Sequence, residues 1–269
     1  MTSEAITVAA IQALPKGCLL DPANVPHAVE LLEKAAEGGA NIACFPEAYP
    51  ATGEKEICRA TGDLGLYTVA SFLQKEGEKL YNEGVLIDPH GQVVGRQRKI
   101  NPVPGVEPYT PGSEYEIMET PFGKIGILIC IDGWGIPEGF NQLSQAGVDL
   151  IFNPCLIFKK KPHKRMALLA RVFDYKVPIV SPNNAVWSLR ISPEDPGISP
   201  EGGESLILAP PPFKTANEIE EFMKEAVSCE GWILAEGGRE EEILTANIDI
   251  AALRHTRSMW KDCFGGCLT

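Results

Sequence analysis

Residues 125–133, Ile125-Gly126-Ile127-Leu128-Ile129-Cys130-Ile131-Asp132-Gly133, contain the longest apolar run of the chain and end on a carboxylate and a glycine. Ile125 to Ile131 is too short for a membrane span and right for a strand buried on both faces. Such strands belong to sheets covered by other layers. The flanking sequence alternates accordingly. Upstream, Ile6 to Ala13 reads as a strand ending at Pro15. From Asn24, residues Val25, Ala28, Val29, Leu32, Ala35 and Ala36 recur at helical spacing, with Gly38-Gly39 as the stop, and Ala40 to Phe45 is a second short strand. This βαβ opening places neighbouring strands in one sheet. Thr68–Gln74, Lys79–Asp88 and Gln92–Arg98 form an antiparallel meander with turns at Glu76-Gly77 and Pro89-His90-Gly91.

Downstream, Pro137 opens a helix running to about Gly147. Leu150–Asn153, Val177–Ser181, Glu204–Ala209, Gly231–Ala235 and Glu242–Ile250 read as strands, and Pro162–Tyr175 as a helix. Gly53 to Gly65 is short and glycine-rich, and is expected to lack a full helix. Pro210-Pro211-Pro212 breaks the pattern, after which Ile219, Phe222, Met223, Ala226 and Val227 mark an inserted helix, at about 211–229, capped by Asn217. Residues 1–269 are read as one domain carrying that insertion.

Composition narrows the function. The 269 residues carry 24 Lys plus Arg against 36 Asp plus Glu, a net charge of −12. A chain this acidic is poorly suited to nucleic acid or an anionic membrane. The eight cysteines are scattered without a Cys-x-x-Cys pair, which fits reduced thiols in a cytoplasmic protein better than a disulfide framework or zinc site. The four histidines, His27, His90, His163 and His255, have no metal-like spacing. One basic cluster, Lys159 to Arg165, interrupts the acidity. Most such runs are the solvated start of a helix; the alternative is a contact to an anionic substrate or another subunit.

Three strand ends each deliver a reactive group. Glu47 follows Ile42-Ala43-Cys44-Phe45-Pro46, Lys99 follows Val93 to Arg98, and Cys130 lies within the longest apolar run. Functional groups gather at strand ends in α/β sheets. A thiolate can attack a carbonyl or nitrile carbon, a carboxylate can take and return protons, and an ammonium can hold the oxyanion. Each has an ordinary alternative: a buried core cysteine, a solvated loop glutamate, the end of a basic face.

Taken together, Cys44-Phe45-Pro46-Glu47, Arg96 to Pro102, and Ile129 to Glu138 make the chain resemble the nitrilase, or carbon–nitrogen hydrolase, superfamily over about residues 5–262. Leu80-Tyr81-Asn82 and Gly202 to Ile207 support it. The resemblance implies an α/β fold, a four-layer αββα sandwich of the nitrilase type, assembled as a homodimer or higher homo-oligomer. It implies hydrolysis of non-peptide C–N bonds with Glu47 as general base, Cys130 as nucleophile and Lys99 as oxyanion cation. Glu107 would be a second, substrate-positioning glutamate, and the Ile131 N–H would complete the oxyanion hole. No metal or organic cofactor is required.

Cys130-x-Asp132-Gly133 resembles the amidase-like branches, so a small amide is expected, with a nitrilase or N-carbamoyl-amide hydrolase as the near alternative. Trp134 stands where many relatives place a substrate-contacting residue and would suit an uncharged acyl group; the other reading is that it packs under the next helix. From other classes the alternatives are a non-catalytic binding or assembly subunit and a thiol redox protein.

Overall fold

In the computed structural model, residues 5–157, 162–186, 202–224 and 229–264 are described. The chain opens with β1 (Ala5–Gln12), α1 (Asn24–Glu37), β2 (Ile42–Cys44), β3 (Pro50–Ala51) and α2 (Glu54–Leu64). Next come β4 (Tyr67–Glu76), β5 (Lys79–Ile87), β6 (Val93–Arg98), β7 (Ile117–Thr120) and β8 (Gly123–Ile127). They are followed by the single turn α3 (Ile131–Trp134), α4 (Glu138–Gln145), β9 (Leu150–Phe152), α5 (Pro162–Tyr175) and β10 (Ile179–Ser181). β11 (Leu206–Leu208), α6 (Ala216–Lys224), β12 (Ile233–Glu236), β13 (Glu242–Asp249) and α7 (Ile250–Phe264) complete the order.

Two sheets result. The first runs β13-β1-β2-β4-β5-β6, with β3 beside β4, and the second runs β12-β11-β10-β9-β8-β7. The βαβ opening makes β1 and β2 parallel, and the meander β4-β5-β6 is antiparallel, as the sequence predicts.

Period-two alternation explains the layering, because successive side chains of a strand face opposite sides. In β1, Ile6, Val8 and Ala10 enter a core shared with Ile125, Ile127, Leu150, Phe152, Val180 and Ile207 of the second sheet. Ala9 and Ile11 face the other way, onto Ala28, Leu31, Leu32 and Ala35 of α1 and Ile57 and Ala60 of α2. The outer face of the second sheet packs Ile151, Ile179, Leu206 and Leu208 against Phe140 and Leu143 of α4 and Leu168 and Val172 of α5. The stacking is therefore αββα. The sheets approach closely: a Cβ on Gly84 would lie 2.8 Å from Ile127 Cγ2.

Three expectations need correction. A full helix does occupy the stretch between Glu47 and β4. Gly53 and Gly65 sit at its two ends with φ of +74° and +70°, so the glycines that suggested a loop are the left-handed caps of α2. The strand over Ile125–Ile131 stops at Ile127, and the chain turns at Cys130. The inserted helix is present as α6, but Thr215 caps it: its Oγ1 accepts the Glu218 N–H, and Asn217 lies inside the helix. Phe213, Ile219 and Trp260 pack α6 onto α7. Among the described residues no helix is long and apolar enough to cross a membrane. Cys263 is exposed at the end of α7, and Cys267 lies outside the described residues.

Candidate active site

Cys130 follows β8 in a tight turn with φ +52° and ψ −112°, a conformation that L-residues rarely adopt. The turn is held from both sides. The Cys130 N–H donates to Pro154 O (2.8 Å), while Cys130 O accepts from the Gly133 N–H (2.9 Å) and Asn153 Nδ2 (3.0 Å). A side chain at 133 would meet this support: its Cβ would stand 2.5 Å from Asn153 Nδ2. Ile131 is the first residue of α3, so its N–H belongs to the helical turn that lacks an intrahelical acceptor.

Glu47 comes from the facing sheet, just after β2, and is 2% exposed. Its Oε1 accepts from Lys99 Nζ (2.7 Å) and Asn82 Nδ2 (2.9 Å). Asn82 Oδ1 in turn accepts from Ser71 Oγ at 3.1 Å, so β4 and β5 fix the carboxylate. Lys99, fully buried after β6, donates a second bond to Glu107 Oε1 at 2.7 Å, and Glu107 Oε2 accepts the Val103 N–H at 2.9 Å. Thus Glu47, Lys99 and Glu107 meet directly.

The electrostatics tie Cys130 to this group. Burial raises Glu47 well above the usual carboxylate range, and negative charge on Cys130 pushes it further, against the pull of Lys99. A hydrogen bond with Cys155, then burial, raise the Cys130 thiol. Burial opposes the Lys99 charge, but Glu47, Cys130 and Glu107 outweigh it and keep the ammonium above its ordinary range. Burial and the Cys130 charge thus both favour a protonated Glu47, and the Lys99 ammonium opposes them.

Several residues of this arrangement were not singled out from the sequence. Asp132, fully buried, accepts from Asn101 N–H (2.9 Å), Asn101 Nδ2 (2.8 Å) and Ile100 N–H (2.9 Å). It joins the Cys130 turn to the segment after Lys99. Asp132→Asn would face an amide donor against an N–H donor, and the segment carrying Lys99 would shift. We expect kcat to fall by up to about 100-fold with little change in KM, measured by ammonia release. Asn82 and Asn153 make their contacts across 35 and 23 positions, which no local pattern signals. Cys155 lies beside Cys130, with burial opposed by the Cys130 bond that lowers it. Trp134 is half-buried and packs against both the inter-sheet and outer cores.

A surface groove of about 590 Å³ opens at the far end of β8, lined by Lys124, Asp149, Arg254 and Arg257. Asp149 binds both arginines there, at 2.8 and 3.0 Å, well away from Cys130. Among the described residues no group of three His, Cys, Asp or Glu could hold a metal ion.

Known proteins share this arrangement of fold and sequence. The carbon–nitrogen hydrolase family model matches residues 7–258. A nitrilase of Pyrococcus abyssi is 27% identical over 94% of this chain and 93% of its own length. An N-carbamoylputrescine amidase of Solanum tuberosum is 27% identical over 95% and 90%, and an omega-amidase of Xenopus tropicalis 24% identical over 87% and 86%. Among solved structures, a carbon–nitrogen hydrolase of Helicobacter pylori superposes with a TM-score of 0.79 at 19% identity, covering 99% of this chain and 96% of its own. The family match spans nearly all of the two-sheet fold, and this chain belongs to the carbon–nitrogen hydrolases of the nitrilase superfamily.

Proposed function

We propose that the protein is a small-amide amidase working through a thioester on Cys130. The observation that carries the reading is the Lys99 ammonium, fully buried and bonded at 2.7 Å to both Glu47 and Glu107 beside the Cys130 turn. Glu47 takes the thiol proton as the sulfur attacks the amide carbon, and the carbonyl electron pair moves onto oxygen. Lys99 and the Ile131 N–H hold that oxyanion. Glu47 then gives its proton to the nitrogen as the C–N bond breaks and ammonia leaves. Water, losing a proton to Glu47, attacks the thioester, and collapse of the adduct returns the acid product and the Cys130 thiol.

Glu107 favours an amide over a nitrile. An amide nitrogen offers N–H donors to a second carboxylate, and a nitrile nitrogen offers none. For comparison, the structure of an amidase from Nesterenkonia has the acetamide moiety of fluoroacetamide covalently added at its active-site cysteine.

The direct test is to trap the intermediate. Glu47→Gln keeps the shape of the general base but cannot accept a proton. Quenched in acid during turnover of a mixture of simple amides, the wild type should carry an acyl mass on the peptide holding Cys130, read by intact and peptide mass spectrometry, and Glu47→Gln should carry none. An unmodified Cys130 in a folded protein that still releases ammonia would refute the mechanism.

A further inference from the structure

The sequence leaves a thiol redox role open for Cys130, and the fold supplies the second sulfur that such a role needs. Strands β8 and β9 are parallel, with Ile125 opposite Leu150 and Ile127 opposite Phe152. The ladder outlasts both strands: the Leu128 N–H donates to Phe152 O at 2.9 Å, and the Cys130 N–H to Pro154 O at 2.8 Å. In that unbroken register Cys130 stands opposite Cys155. Neighbouring strands lie about 4.8 Å apart, and disulfides join Cα atoms about 4.4–6.8 Å apart. Both side chains enter the core between the sheets, and their thiols share a hydrogen bond.

Cys155 is fixed on its other side as well. Its N–H donates to Pro182 O at 2.9 Å, and it forms a parallel bridge with Asn183 beyond β10. Its thiol donates to Asn153 O and Oδ1, both at 3.3 Å, and lies 3.6 Å from Ser181 Oγ. The two sulfurs differ in access. Cys130 is 6% exposed and Cys155 is wholly buried, so a reagent meets Cys130 first and Cys155 answers from within. Of the basic cluster Lys159–Arg165, Arg165 stays at the surface with Glu236 at 3.1 Å, while Lys164 is buried and its charge acts on Cys155. Burial opposes ionisation of Cys155, but the Cys130 bond, Lys164 and Ser181 together outweigh it and bring the thiol below its ordinary range. A thiolate is the form that attacks an oxidised sulfur. Cys44, in the facing sheet, shows the ordinary case: its thiol donates to Phe45 O at 3.4 Å, and burial raises it.

We infer that Cys130 and Cys155 form a dithiol site for small hydroperoxides, in which oxidation of Cys130 is trapped by Cys155 as a reversible disulfide that blocks hydrolysis. The Cys130 sulfur attacks the terminal oxygen of the hydroperoxide, the O–O bond breaks, and water or an alcohol leaves with the thiol proton. The Cys155 sulfur then attacks the Cys130 sulfenic acid; the S–O bond breaks, and its oxygen leaves as water with the Cys155 proton. Two thiols and one hydroperoxide thus give one disulfide, one water, and one further water or alcohol. A soluble dithiol restores both cysteines by exchange and is itself oxidised. The loss of hydrolysis rests on the amidase reading; the sulfur chemistry does not.

Mass spectrometry reads the link without turnover. Mild hydrogen peroxide should lower the intact mass of the wild type by two hydrogens. Lys124 and Lys159 bracket both cysteines with no Lys or Arg between, so the chain is cut at Asp and Glu instead, which separates them. Mapped without reductant, the Cys130 and Cys155 peptides should then be joined. Ammonia release should fall in step with that link and return with dithiothreitol. Wild-type Cys130 carrying sulfinic acid with no link to Cys155 would overturn the assignment.

Cys155→Ala and Cys155→Ser supply the second arm. Given the same peroxide, each should carry sulfinic acid on Cys130 and recover almost no ammonia release with dithiothreitol. Recovery equal to that of the wild type defeats the proposal. Should neither variant fold, the wild-type peptide map decides alone. A Cys130–Cys155 disulfide in a protein that turns over no amide leaves the pair standing and defeats the amidase reading instead. Amide turnover with no such link does the reverse.

Discussion

Lys99→Met should lower unfolding stability by about 3–5 kcal/mol at pH 8, the cost of leaving buried charges without their partner. Lys99 is fully buried and holds two carboxylates at 2.7 Å. Without it, Glu47 and Glu107 remain side by side with no cation between them. Turnover should fall by at least about 10²–10³, as for the loss of an oxyanion donor.

The pH dependence of the variant follows from the same charges. Burial already raises Glu47 in the intact protein, with Lys99 acting to lower it. Removing Lys99 lifts the folded-state value further above the unfolded value of about 4.3. The folded variant then binds more protons than the unfolded chain. Its deficit is therefore small below about pH 4 and grows as the pH rises through the folded-state value. Denaturant titrations of wild type and variant at pH 4.5 and pH 8 measure this. A deficit of the same size at both values would mean that the two carboxylates do not depend on Lys99.

The second large effect concerns the proposed nucleophile, Cys130. Cys130→Ala and Cys130→Gly should both lose ammonia release by a factor on the order of 10⁶, the scale for removing a hydrolase nucleophile. Their stabilities should differ in an uncommon direction. In most positions glycine is less stable than alanine by about 0.5–1 kcal/mol. At φ +52° and ψ −112° alanine retains the strain of the turn and glycine relieves it. Cys130→Gly should therefore melt above Cys130→Ala. The opposite order would show that the turn is not held under strain by its surroundings.

The pattern of β1, α1, β2 and the meander is legible because their apolar periods are clean and local. The strand leading to Cys130 is shorter than its apolar run for a physical reason. Leu128 and Ile129 are fully buried after the strand has ended, so hydrophobicity continues up to the turn at Cys130. α2 was missed because Gly53 and Gly65, read as breakers, are its caps, while Ile57, Ala60 and Thr61 supply a short buried face. Glu47, Lys99 and Cys130 were visible as reactive types at strand ends, and Glu107 through the family resemblance. Asn82 and Asp132 stood in quoted motifs, but their orienting roles, and Asn153 altogether, were not legible, because an amide or carboxylate that orients another residue has no signature until the strands meet. Lys164 belongs to the same class: its charge was legible, but its burial was not.

The sheet order has a consequence for synthesis. Strand β1 is hydrogen-bonded to β2 on one side and to β13, residues 242–249, on the other. Glu47, Lys99 and Cys130 of the proposed site are all synthesised long before that last strand. Until then β1 presents an apolar edge, Ile6 to Gln12, with its backbone donors and acceptors unpaired. A nascent chain stalled between β12 and β13 thus carries the complete Glu47–Lys99–Cys130 set together with an open template for strand addition. Release of translation near residue 240 should yield aggregates and chaperone clients rather than a smaller enzyme.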